Sequence, residues 1–130
     1  MKEEFKNDRK AANKAIGKNL DCQQPEVYVY VDLTVEENTQ KSVDRGSSPW
    51  RLDPAYVASV EASLMISPGG IVGEQAVKYE DIQMIYNNGI KAIAKVNTKK
   101  SPVDKIYLEK LIRQDETGIW TMIGYDLADK

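Results

Sequence analysis

The chain has 130 residues, 42% of them apolar and 29% charged, and a formal net charge of −2. That length suits one domain with a real core, the small net charge gives no reason to expect a nucleic-acid partner, and no apolar run approaches the roughly 18 residues of a membrane span. There is no histidine and only one cysteine, Cys22, which excludes a His-assisted nucleophile and an intramolecular disulfide within the chain.

The opening MKEEFKNDRKAANK has no hydrophobic stretch of the secretory kind, so no signal peptide is expected in it. Leu20-Asp21-Cys22 lacks the apolar run that precedes a lipoprotein attachment cysteine, and Cys22 reads as an incidental thiol. Phe5, Ala12, Ile16 and Leu20 fall at helical separations, so residues 1–24 are expected to form an arm or helix ahead of a single domain over 25–130.

Pro25 bounds a strand over Val27–Leu33, with Val27, Val29 and Val31 on one face and Tyr28, Tyr30 and Asp32 on the other. The polar stretch TVEENTQKSVDRGSSPW that follows reads as a long loop, or as a strand interrupted by a polar bend. Asp53 then offers a helix N-cap and Pro54 the first helical position. Val57, Val60 and Leu64, helped by Ala58 and Ala62, form the expected buried stripe, and Pro68-Gly69-Gly70 ends the helix.

Residues 76–86 predict a strand. Asn88-Gly89 predicts a type I′ hairpin leading to IKAIAKVN, whose Ile90, Ala92, Ala94 and Val96 share a face. After a basic loop, residues 104–126 predict a second hairpin. Ile106 to Ile112 form one arm, Ile119 to Tyr125 the other, and Asp115-Glu116-Thr117-Gly118 the turn, with Gly118 supplying a positive φ. Lys91, Lys95, Lys99, Lys100 and Lys105 are expected to line a sheet edge. The fold class is α+β: one main helix on a curved four- to five-stranded antiparallel sheet, with Ile82, Met84, Ile106, Leu108, Trp120 and Ile123 in the core. This element order resembles the cystatin-like rolls, including the relatives of nuclear transport factor 2.

The segment Val43-Asp44-Arg45-Gly46-Ser47-Ser48-Pro49-Trp50-Arg51-Leu52-Asp53-Pro54 and the ending Gly118-Ile119-Trp120-Thr121-Met122-Ile123-Gly124-Tyr125-Asp126 resemble a pattern in uncharacterised exported proteins of Gram-positive, Clostridia-like bacteria. Ser47 stands where that pattern commonly has a histidine. The resemblance implies a cell-envelope location and no particular chemistry.

Asp44, Arg45, Trp50 and Arg51 are the candidate binding surface: an aromatic wall beside charges, suited to a carbohydrate or peptide. Asp53 is expected to cap the helix, and Gly46, Pro49 and Pro54 to fix the path of the segment, with Ser48 extended before Pro49. Asp32, Glu36 and Glu37 lack the spacing of a calcium loop, and no motif calls for a cofactor. Three functions fit. The first is a non-catalytic interaction domain at the envelope, bound to a protein or another envelope component. The second is a ligand-binding or isomerase-like roll using an Asp and a Tyr. The third is a subunit of a secretion or transfer assembly that pairs through its sheet edge.

Overall fold

A computed structural model describes residues 23–66, 76–99 and 101–128. The expected N-terminal helix, the Pro68-Gly69-Gly70 stop, Cys22 and Lys100 lie outside them. Strand β1 (Val27–Tyr28) precedes helix α1 (Leu33–Asp44), and a 3-10 turn at Pro49–Leu52 leads into helix α2 (Pro54–Ile66). A second 3-10 turn at Tyr79–Asp81 opens a meander of β2 (Ile82–Asn87), β3 (Lys91–Val96), β4 (Val103–Glu109) and β5 (Thr121–Leu127). All neighbours are antiparallel, in the order β1-β5-β4-β3-β2. The class is α+β, with helices packed on an open five-stranded sheet.

The core lies between α2 and the meander. Ala92, Ala94, Val96, Ile106, Leu108 and Met122 supply the sheet side, with Trp120 just before β5. The helix contributes a face centred on small residues: Ala55, Ala58, Ser59, Ala62 and Ser63 are buried beside Val57, whereas Val60 and Leu64 are only half-buried. The expected stripe is thus rotated. Helix α2 is apolar or small almost all round, so periodicity does not choose a face, and the small side chains let the helix approach the sheet closely. Ser63 Oγ donates to Ser59 O at 2.8 Å and accepts from Val77 N at 3.0 Å, tying the helix to the entry of the meander. Ile82, Met84 and Ile123 are also only half-buried, while Val77, Val103 and Ile119 belong to the interior.

Several local expectations need correction. Only Val27–Tyr28 is strand, because Asp32 ends the extended run by capping α1: its Oδ1 accepts from Thr34 N at 3.0 Å. The polar stretch expected as a loop is α1 itself. At its far end Gly46, at φ 96°, completes a Schellman cap in which Ser47 N donates to Ser42 O and Gly46 N to Val43 O, both at 2.9 Å. Ser48 is left-handed (φ 47°, ψ 53°) rather than extended. Proline at the next position disfavours the right-handed helical region for Ser48, and the chain reverses here between two helical segments.

The β2–β3 turn is displaced by one residue. Asn88 N donates to Lys91 O at 3.0 Å, so Gly89-Ile90 is the central pair and only Gly89 has positive φ, the type II′ pattern rather than type I′. The β4–β5 connection is also longer than expected, running from Lys110 to Trp120, so that Leu111, Ile112, Ile119 and Trp120 lie outside the strands. Gly118 does not have positive φ there. A β-carbon on it would overlap the Arg113 carbonyl, so glycine is needed for close approach rather than for an unusual dihedral. The lysines do not form an edge: β3 and β4 are interior strands, Lys95 pairs across to Lys105, and Lys95 Nζ meets Asp104 Oδ1 at 2.7 Å.

Candidate functional site

Helix α1 turns Glu36, Gln40 and Val43 inward, a stripe at helical spacing that is mostly polar. Gln40 is 2% exposed. Its Nε2 donates to Thr117 O at 2.8 Å and its Oε1 accepts from Ile119 N at 3.0 Å, so one side-chain amide completes the backbone pairing of the β4–β5 connection. One turn later Asp44 receives both ends of the Arg113 guanidinium, at 2.9 and 3.1 Å. That hydrogen bonding holds the Asp44 carboxyl below its ordinary value and raises Arg113. The pair is solvent-exposed and contributes little to stability.

Arg51 is the centre of a second network. Its Nη2 donates to Glu36 Oε1 at 2.6 Å, and Nε and Nη2 reach Trp120 O at 3.3 and 3.1 Å. The backbone reciprocates, with Trp120 N donating to Arg51 O at 2.9 Å. Thr121 Oγ1 donates to the same Glu36 oxygen at 2.8 Å. The Arg51 guanidinium also stands over Trp50, 5.7 Å from the ring centroid. A single residue thereby ties the 3-10 turn, α1 and the start of β5 together.

Glu61, the one acid in AYVASVEASLMI, is half-buried near this network. Burial pushes its carboxyl above the ordinary glutamate value; the Arg51 charge opposes that shift and the Glu36 charge adds to it. No hydrogen bond joins it to another described residue. The direct ion pair of Arg51 goes to Glu36.

Trp50 packs half-buried against the core, and from it an aromatic strip runs outward across the start of α2. Trp50 and Tyr56 have ring centroids 5.6 Å apart, and Tyr56 and Tyr79 6.2 Å apart. Tyr56 is 37% exposed and Tyr79 51%. Asp53 caps α2, with Oδ1 accepting from Ala55 N at 3.0 Å. The charge of Asp53, and the hydrogen bond it accepts from Tyr79, raise that phenol above its ordinary value. Asp53→Ala is expected to lower stability by about 0.5–2 kcal/mol, as loss of a cap does. A shift in the urea midpoint at unchanged slope is the check.

The four residues singled out in the sequence are therefore divided. Trp50 and Arg51 belong to this site. Asp44 serves the Arg113 pair, eight residues or about 12 Å along α1 from Glu36. Arg45 ends α1, with its guanidinium 3.5 Å from Ser42 Oγ. Glu36, Glu61, Thr121, Tyr56 and Tyr79 were not anticipated in this role. Glu61 alone carried a legible signal, as a lone charge in an otherwise uncharged helix. Among the described residues no group of three or more acidic or sulfur ligands converges on a metal position, and no helix is long and apolar enough to cross a membrane.

The Asp and Tyr that meet are Tyr107 and Asp126, with the phenol donating to Oδ2 at 2.8 Å. Asp126 Oδ1 also accepts from Glu26 N at 2.8 Å, and Gln23 Nε2 donates to the phenol oxygen at 3.2 Å. Burial and the Asp126 bond raise the Tyr107 phenol far above its ordinary value. Tyr107 lies between the core residues Ile106 and Leu108 and so points to the opposite face of the sheet, away from α2.

Family models give no match to this chain, and searches of curated proteins and of solved structures give none either.

Glu61→Gln is expected to change the pH dependence of stability. A carboxyl raised in the folded state binds its proton more tightly there, so stability falls as pH rises from the ordinary glutamate value through the raised one. The variant lacks that loss. Its stability relative to the parent should therefore rise across the window and stay constant above it, as followed by urea midpoints at a series of pH values.

Proposed function

We propose that this chain is a non-catalytic interaction domain acting at the bacterial cell envelope, within an exported or surface-held protein. The observation that carries the reading is the disposition of its chemistry. The space between α2 and the sheet is filled by apolar and small side chains, with Ala58, Ala62, Ala94 and Ile106 fully inaccessible. Outside it stand Tyr56 and Tyr79, both exposed, in an aromatic strip that runs out from the half-buried Trp50. Ligand-binding rolls place polar groups in a cavity between helix and sheet, whereas interaction surfaces present aromatic anchors outward. The order of one helix and then a meander supports a cystatin-like roll, and the likeness of residues 43–54 to the exported pattern supports the location.

The test is photo-crosslinking in the source bacterium from a benzophenone residue placed at Tyr79 or, for comparison, at Lys105. The expected product is a defined envelope adduct from position 79 and none from position 105. Adducts confined to cytoplasmic components, or equal adducts from both positions, would overturn the reading.

A further inference from the structure

We propose that the outer edge of β2 pairs antiparallel with the same edge of a second copy of this chain, joining two five-stranded sheets about a two-fold axis. The inference goes beyond the reading of an interaction domain and does not rest on it.

The sheet has two outer strands, β1 and β2. β1 is two residues long, and so short an edge deters pairing. β2 runs Ile82-Gln83-Met84-Ile85-Tyr86-Asn87, with no charged residue and no proline to turn a partner away. Asn97 N donates to Asp81 O at 2.8 Å and Asn88 N to Lys91 O at 3.0 Å, which fixes the hydrogen-bonded pairs at both ends of the β2–β3 ladder. Bonded and non-bonded pairs alternate along an antiparallel ladder. Gln83 and Tyr86 therefore bond to β3, while Met84 and Asn87 turn their N–H and C=O groups to the open edge.

The bulge at Ile85 selects the occupant. In a regular strand the residues that face one edge recur at every second position, whereas here Met84 and Asn87 are three apart. A regular strand that pairs with one of them loses register at the other. A copy of β2 has the same interval, and a two-fold axis sets Met84 of each copy against Asn87 of the other.

The charges at the ends match as well. The entry to β2 carries the exposed Glu80, and the far turn carries the exposed Ile90 and Lys91. Antiparallel pairing lays the Glu80 end of each copy beside the Lys91 end of the other, so opposite charges meet in two symmetric places. Among the described residues neither Glu80 nor Lys91 belongs to an ion pair. Asp81 is not counted, because its Oδ2 accepts from Lys78 N within the 3-10 turn. Tyr79 packs on Tyr56 of α2, so the aromatic strip lies on the helix side and stays open. Edge pairing covers little side-chain surface, and the pair is accordingly a reversible one.

The experiment is sedimentation equilibrium of the full chain over a concentration series up to the millimolar range, with amide hydrogen exchange at the two ends of the series. The expected result is a reversible monomer–dimer equilibrium. Exchange at the Met84 and Asn87 amides should slow at the high concentration, while the Tyr28 amide at the β1 edge keeps its rate. Glu80→Lys and Lys91→Glu each bring like charges together and should weaken the dimer about threefold to tenfold. The double variant, Glu80→Lys with Lys91→Glu, should restore it. Both positions are exposed, so the variants are expected to keep the parent's urea midpoint. The proposal is overturned by a chain that stays monomeric throughout the series, or by a dimer whose Met84 and Asn87 amides exchange at the monomer rate. Single variants that associate as tightly as the parent, or a double variant no tighter than the singles, overturn it too. A monomeric chain with the position-79 envelope adduct intact would remove the pairing of copies and leave the interaction domain standing.

Discussion

Gln40→Leu is expected to destabilise the fold by about 2–4 kcal/mol, even though it replaces a polar side chain by an apolar one at a buried position. Its amide joins α1 to two backbone groups that have no other hydrogen-bond partner among the described residues, Thr117 O and Ile119 N. Removing a hydrogen-bonding partner from a buried backbone group costs on the order of 1–3 kcal/mol for each group stranded. Leucine also cannot reach Asp44, which accepts from the same Nε2 at 3.2 Å. The measurement is urea unfolding with Gln40→Leu beside Thr39→Leu, one residue away at a half-buried position whose hydroxyl donates to Val35 O within α1 itself. A loss at position 40 no larger than at position 39 would mean that α1 does not depend on this bond.

Ile106→Ala should cost about 2–5 kcal/mol, the range for removing a large aliphatic side chain from a closed interior. Ile106 is fully inaccessible in β4, with Ala94 beside it on one strand and Tyr125 on the other. The two neighbours differ in size, and the small Ala94 cannot fill the vacated volume. Leu64→Ala removes as many carbon atoms from a half-buried site and should cost clearly less. The comparison of the two midpoints checks where the core sits: equal losses would mean that α2 buries its Val60–Leu64 face after all.

The meander was readable because its strands obey the simplest pattern. Ala92, Ala94 and Val96 alternate along β3, and Ile106 and Leu108 along β4, so both strands present an apolar face without help from the rest of the chain. Asp53-Pro54 marked the start of α2 for an equally local reason: a carboxylate cap and a proline act within one turn of the residues they follow. Helix α1 also carried both of its end signals, Asp32 and Gly46. Its inward stripe is Glu36, Gln40 and Val43, and a mostly polar stripe carries no apolar periodicity to mark the segment as a helix.

The candidate site divides along the same line. Trp50 and Arg51 drew attention as neighbours in sequence, and they do stand together, with the guanidinium over the indole. Glu61 comes from another helix, Thr121 from the last strand and Tyr79 from the entry to the meander, and no spacing along the chain joins them. Asp44 and Arg45 looked like partners of Trp50 because they lie within six residues of it, but α1 and its cap carry them to the other end of that helix.

By itself, then, the sequence determined the α+β class, the antiparallel meander, the cap at Asp53 and the exclusion of histidine chemistry. These follow from local backbone preference and period-two or period-3.6 alternation, which act over a few residues. Only the tertiary structure decided which face of α2 is buried, that the polar stretch after Asp32 is a helix, that Gly118 is needed beside the Arg113 carbonyl, and that Glu36 meets both Arg51 and Thr121. Each of these depends on groups far apart in the chain filling one another's volume or hydrogen-bonding capacity, and that complementarity exists only once the chain has closed on itself.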